Sequence, residues 1–257
     1  MPLPRFSLPM RLLGIALLWV GVSGPARADE IRLAVAANFA GPLQKIAPAF
    51  EQASGHKLLI SLGATGKFYA QIKSGARFDV LLAADDETPR RLEAEGDAVA
   101  GTRFTYAIGK LVLWSARPGF VDPQGEVLRK GVFAHLALGN PRLVPYGLAA
   151  TETLTKLGVY KDLAPLFVMA ESIAQAHQFV STGNAELGFV ALSQVLRDGA
   201  VTEGSAWIVP PELYAPLRQD AVVLGTASHS PAVAAWMRWL QGDAARALIK
   251  TYGYELP

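Results

Sequence analysis

Apolar residues along this chain come in short runs, separated by stretches with helical spacing. Residues 31–37 read as a strand, and residues 42–53 as a helix with Leu43, Ile46, Ala47 and Phe50 on one face. Residues 57–62 predict a second strand. Residues 66–74 predict a short helix that carries Phe68 and Ile72 and stops at Gly75. A third strand, almost wholly apolar, is predicted at 79–84, and a helix at 89–95. Residues 109–115 begin a second series. An apolar run at 132–138 leads into the loop Gly139-Asn140-Pro141, then come a helix at 147–157, the segment 167–169, a helix at 173–181 and a strand at 187–190. A strand at 221–224 and helices at 230–240 and 242–249 close the chain. The predicted strands lack apolar–polar alternation, as expected for a mainly parallel sheet covered on both faces. Two such series predict an α/β protein of two lobes with a cleft between them.

The first 28 residues fit neither series. Arg5 and Arg11 precede the apolar run 12–20, and small residues then lead to Ala26-Arg27-Ala28. This is the order of a secretory signal peptide, with cleavage expected before Asp29. The run is shorter than the ~20 apolar residues of a spanning helix. No cysteine follows the cleavage site to be acylated.

Composition narrows the function. Of 257 residues, 51% are hydrophobic and 18% charged, which excludes a disordered chain. The absence of cysteine excludes disulfide scaffolds, cysteine-ligated zinc, iron–sulfur clusters and cysteine nucleophiles. Removing the leader takes three arginines from the 24 basic residues and none of the 22 acidic ones, leaving a net charge of −1. No basic face for nucleic acid is expected.

Four strand-to-helix junctions share one character: Ala36-Ala37-Asn38-Phe39, Gly63-Ala64-Thr65-Gly66, Pro145-Tyr146-Gly147 and Glu171-Ser172-Ile173. Each is small or polar and opens a helix, where about four backbone N–H groups lack intrahelical acceptors and carry partial positive charge. In open α/β sheets such turns gather at the carboxyl ends of the strands. Converging on one cleft, they make an anion site without lysine or arginine. Singly, Asn38 and Thr65 read as helix caps, and Tyr146 as a packed aromatic.

These strings resemble the periplasmic molybdate-binding proteins, the ModA family. The resemblance is carried by Val35-Ala36-Ala37-Asn38-Phe39, Gly63-Ala64-Thr65-Gly66 with Tyr69-Ala70-Gln71-Ile72, and Asp79-Val80-Leu81-Leu82-Ala83-Ala84-Asp85. The stretch 104–114, Gly139-Asn140-Pro141 with Val144-Pro145-Tyr146-Gly147, the run 187–192 and Tyr252-Gly253-Tyr254 extend it in order across the chain. It implies a type II periplasmic binding-protein fold: two α/β lobes with mixed, mainly parallel sheets joined by two crossing strands. Lobe I is expected at 29–109 plus 222–257, and lobe II at 110–221. The implied function is capture of molybdate, and tungstate with it, by a monomeric exported protein serving an ATP-binding-cassette permease, with no cofactor. The implied contacts are Asn38, Thr65, Tyr146 and Ile173, the last two through backbone N–H. Ala37 stands where some of the family carry a hydroxyl, so its contact is by backbone or absent. One branch of the family has a binding tyrosine where this chain has Ala191. Asn38 and the run Ser172-Ile173-Ala174-Gln175-Ala176-His177 match the other branch, in which the first-loop asparagine supplies the missing donor.

A donor-dominated pocket suits a fully ionised tetrahedral dianion, which only accepts hydrogen bonds. Phosphate keeps a proton that needs an acceptor, and burying it unpaired costs about 1–3 kcal/mol. Sulfate passes the same filter, so preference for molybdate over sulfate rests on the resemblance. Two rivals are weaker. A ferric site needs clustered Tyr, His or carboxylate ligands, and the four junctions offer one tyrosine and no histidine. An exported hydrolase finds no H-E-x-x-H or G-x-S-x-G motif. The adjacent Asp85 and Asp86 point to opposite sides of an extended chain, and His56, His135, His177 and His229 lack metal-pair spacing.

Overall fold

The computed structural model describes residues 1–2, 29–130, 132–197 and 199–257. Apart from Met1 and Pro2, the expected leader lies outside the described residues. No helix among the described residues is long and apolar enough to cross a membrane.

Two five-stranded sheets each form the centre of a lobe. The first runs Lys57–Gly63, Glu30–Ala36, Val80–Leu82, Leu217–Val223, Phe104–Gly109. The second runs Phe167–Ala170, Leu136–Gly139, Leu187–Ala191, Leu111–Ser115, Ser205–Ile208. The two orders are equivalent. In each, three strands pair in parallel, the fourth is antiparallel and the fifth returns to the common direction. Four of five strands therefore point one way, although half of the pairings are antiparallel. The fourth strand of each sheet is the one that has just arrived from the other lobe: Phe104–Gly109 passes through Lys110 into Leu111–Ser115, and Ser205–Ile208 leads back to Leu217–Val223. The lobes are thus linked by two crossings.

Buried strands without alternation follow from this layering. Leu33 and Val35 point into one core with Ile46, Phe50 and Trp236, under the helices Ala40–Ser54, Pro231–Leu240 and Asp243–Lys250. Ala34, between them, points to the opposite core with Phe68, Ile72 and Leu92. The second lobe repeats this: Leu111 and Leu113 face one core, Val112 and Trp114 the other.

Several expectations change. The edge strands Phe104–Gly109 and Ser205–Ile208, each paired antiparallel to its one neighbour, are absent from the sequence-based reading of elements, which sought βα alternation. The final strand begins at Leu217, not 221. Its first residues pair with Gly109, Ile108 and Ala107 of the first sheet, so residues 217–221 sit with the first lobe rather than the second. The run 132–138 keeps strand form only at Leu136–Gly139. Ala37 leaves the first strand for the 3-10 turn Ala37–Phe39. Coverage on both faces fails at the edge strand Lys57–Gly63, where Leu59, Ile60 and Leu62 are exposed.

Candidate functional site

Each of the four junctions opens a helix at the carboxyl end of a strand. The first strand runs into the turn Ala37–Phe39 and the helix Ala40–Ser54. Lys57–Gly63 leads to the helix Thr65–Lys73, Leu136–Gly139 to Pro145–Lys156, and Phe167–Ala170 to Ile173–Ser181. Thr65, Tyr146 and Ile173 fall in the first turn of their helices, where N–H groups have no intrahelical acceptor. At the third helix Pro145 takes the first position, which needs no N–H. At the fourth, Ser172 accepts from Gln175 N–H and leaves that of Ile173 uncapped.

The four turns converge. The Gly66 N–H donates to the Leu143 carbonyl at 2.9 Å, joining the second turn to the third across the cleft. Lys67 and Glu171 pair at 2.6 Å, joining the second to the fourth. The helix Ile173–Ser181 packs beside Ala37–Phe39, joining the fourth to the first. Ala36, Ala37, Ala64 and Ala84 of the first lobe share one buried cluster with Tyr146, Ile173 and Ala191 of the second. Asn38, Thr65, Tyr146, Ile173 and Ala37 are all buried. The predicted residues come together. Lys67 stands at the rim, half-buried and already paired, so the interior presents neutral groups.

Thr65 Oγ1 accepts from the Ala84 N–H at 3.0 Å. This fixes its rotamer and leaves its own hydrogen to donate. It also commits the Ala84 N–H, so Ala84 contributes packing only. Asn38 departs from the sequence-based picture. Its Nδ2 donates to Gln219 Oε1 and to Tyr254 Oη, both at 2.9 Å, and its buried Oδ1 has no partner among the described residues. The Asn38 carbonyl accepts from Ser193 Oγ at 2.9 Å, and Tyr254 Oη lies 3.0 Å from both that carbonyl and Ser193 Oγ. Gln219 Nε2 donates to Tyr146 Oη at 3.0 Å, and Tyr106 Oη donates to the Ala83 carbonyl at 2.9 Å. Burial pushes the Tyr254 phenol up to about 12 and those of Tyr106 and Tyr146 well above their ordinary value, so all three stay protonated.

Gln219, Tyr106, Tyr254 and Ser193 escaped the sequence reading as site residues. Tyr254 lay in a noted string. Its place is fixed by the reciprocal backbone pairing of Glu255 with Ile108 and by the Lys110–Glu255 ion pair at 2.8 Å. Gln219 carried one overlooked signal, a Gln-Asp pair leading into an apolar strand. Asp85 and Asp86 do not act as a pair: Asp85 accepts from Thr88 N–H and the Thr88 hydroxyl, capping a helix. Among the described residues, no cluster of His, Asp or Glu is arranged to hold a metal.

The family described as bacterial extracellular solute-binding protein matches residues 31–255. Over 231 residues the chain is 57% identical to the molybdate-binding protein ModA of Azotobacter vinelandii, spanning 90% of this chain and 92% of that one. It belongs to the ModA family. As a member of that family it is a solute-binding protein and not an enzyme. It is 46% identical to the molybdate-binding protein ModA of Rhodobacter capsulatus, over 92% of each chain. The solved Azotobacter vinelandii periplasmic molybdate-binding protein superposes with a TM-score of 0.84 at 44% identity, covering 88% of this chain and 99% of that one. The two-lobed type II fold is thereby shown for this ModA-family chain.

Proposed function

We propose that this protein is exported to the periplasm with residues 1–28 removed. There it captures molybdate, and tungstate with it, and delivers the anion as a monomer to the permease of an ATP-binding-cassette importer. The relatives named above bind molybdate, which supports the cargo. The donor set supports it independently. Thr65 offers its hydroxyl hydrogen and N–H, Tyr146 and Ile173 offer N–H groups, and Ala37 and Asn38 line the first turn. No charged side chain enters the set, so the anion is held by dipoles fixed on helix starts.

Hydrogen bonds to a charged group contribute roughly 1.5–3 kcal/mol each. Several of them, less the cost of closing the lobes, reach submicromolar affinity. The contacts Gly66–Leu143 and Lys67–Glu171 span the cleft and belong to the closed arrangement. Opening turns the lobes about the crossings at Lys110 and at 209–216, which releases the anion to the permease.

Titration calorimetry of the chain from Asp29 tests this. Molybdate and tungstate are expected to bind one per chain, and sulfate and phosphate to compete poorly. Saturable sulfate binding with no heat from molybdate would replace the cargo with sulfate. Phosphate bound as tightly as molybdate would contradict the donor-only pocket.

A further inference from the structure

We propose that Gln219 is a positioning residue for the anion site. It sets the direction of the Asn38 carboxamide and ties it to Tyr146 of the opposite lobe. The inference rests on the oxyanion reading above and adds a residue that touches no ligand.

Gln219 is fully buried on the first-lobe strand that follows the second crossing. It bridges the first-lobe amide of Asn38 at 2.9 Å and the second-lobe phenol of Tyr146 at 3.0 Å. Two features of the chain make room for it. The pairing of Leu217–Val223 with Phe104–Gly109 shifts register between Gln219 and Asp220, which leaves Tyr106 as the extra residue of a bulge. Bulges re-aim side chains, and this one places Tyr106 Oη 3.2 Å from Gln219 Oε1. Gly109 supplies the second: a Cβ there would collide with both Tyr146 Oη and Gln219 Nε2.

The hydrogen count gives the relay its purpose. With both Nδ2 hydrogens committed to Gln219 and Tyr254, Asn38 turns a bare acceptor, Oδ1, to the one edge that none of the described residues meets. An acceptor there repels an oxyanion. Carboxamides are nearly symmetric in shape, so turning both amides end for end preserves every heavy-atom distance. Gln219 Nε2 then donates to Asn38 Oδ1 and to Tyr106 Oη, whose single hydrogen stays on the Ala83 carbonyl. Gln219 Oε1 accepts from the Tyr146 hydroxyl, and Tyr254 donates to Asn38 Oδ1. Asn38 Nδ2 now occupies the unpartnered edge as a donor. Gln219 serves both arrangements because an amide both donates and accepts. The anion selects the second, and the same rotation reaches the tyrosine of the opposing turn.

A double-mutant cycle tests this on the chain from Asp29, read by calorimetric titration with molybdate. Asn38→Ala and Gln219→Met are each expected to weaken binding at least tenfold, and the double variant to fall within about twofold of the weaker single. A Gln219→Met protein with wild-type affinity overturns the inference. So do losses that multiply, because Gln219 then acts apart from Asn38. Should Gln219→Met fail to fold, Tyr146→Phe cuts the relay at its far end and is held to the same pattern with Asn38→Ala. Wild-type protein that takes up no molybdate refutes the oxyanion reading, and this inference with it. Wild-type binding with multiplying losses refutes this inference alone.

Discussion

Thr65 Oγ1 accepts the Ala84 N–H at 3.0 Å, so a residue from the second turn is locked by a backbone group beyond the third strand. The bond consumes the acceptor side of the hydroxyl and leaves the donor side, the half that an oxyanion needs. Thr65→Ala removes that donor and strands the buried Ala84 N–H. A loss of about 1–3 kcal/mol, roughly 5- to 150-fold in the molybdate dissociation constant, is expected by calorimetry. Thr65→Ser keeps both bonds and is expected to bind within a few-fold of wild type. Equal binding by Thr65→Ala would remove the hydroxyl from the site.

Gly66 meets Leu143 across the cleft, and a Cβ at Gly66 would lie 2.9 Å from Leu143 Cα. Gly66→Ala therefore obstructs closure while favouring the helix it sits in, where alanine exceeds glycine by ~1 kcal/mol. Without ligand, the unfolding temperature is expected to hold or rise slightly. Molybdate affinity is expected to fall by tenfold or more, and X-ray scattering to show no compaction on adding the anion. Normal compaction would mean that the lobes close by another path.

Asp85 provides a pH signature of the same region. Burial raises its carboxyl from 3.8 to about 6, against the opposing bonds from Thr88. A folded pKa above the unfolded one means that the folded state holds the proton more tightly. The resulting stabilisation is fully present below pH 4 and lost as pH rises through 6. Asp85→Asn keeps the Thr88 N–H bond and carries no charge to bury. At pH 7.5 it is expected to raise the unfolding temperature by several degrees, the rise from 3.8 to about 6 being worth up to about 3 kcal/mol. At pH 4 the difference is expected to vanish. A pH-independent difference would rule out the buried charge as its origin.

The alternating βα series and the four helix starts were legible because each depends on local spacing and turn chemistry. Convergence of those turns was not, since it depends on contacts such as Gly66–Leu143 between residues far apart in sequence. The edge strands Phe104–Gly109 and Ser205–Ile208 were overlooked because each joins its sheet by antiparallel pairing with a strand that arrives from the other lobe, outside the βα alternation. The residues that hold Asn38 share this limit. Gln219 and Tyr254 lie 181 and 216 positions away, and only a folded hinge brings them to it. Family resemblance supplied Asn38 itself, but its dependence on a buried amide partner is a property of the packing.

The central claim is that uncharged N–H and O–H donors at four helix starts hold the oxyanion. Anomalous diffraction at the tungsten edge, from crystals of the chain from Asp29 grown with tungstate, tests it most directly. One peak is expected between Thr65, Tyr146, Ile173 and Asn38, with the anion oxygens ~2.7–3.2 Å from the donor nitrogens and the Thr65 hydroxyl oxygen. A peak instead in the cleft of about 660 Å³ lined by Lys45, Lys110 and Lys250 would contradict it, because charge rather than oriented dipoles would then hold the anion.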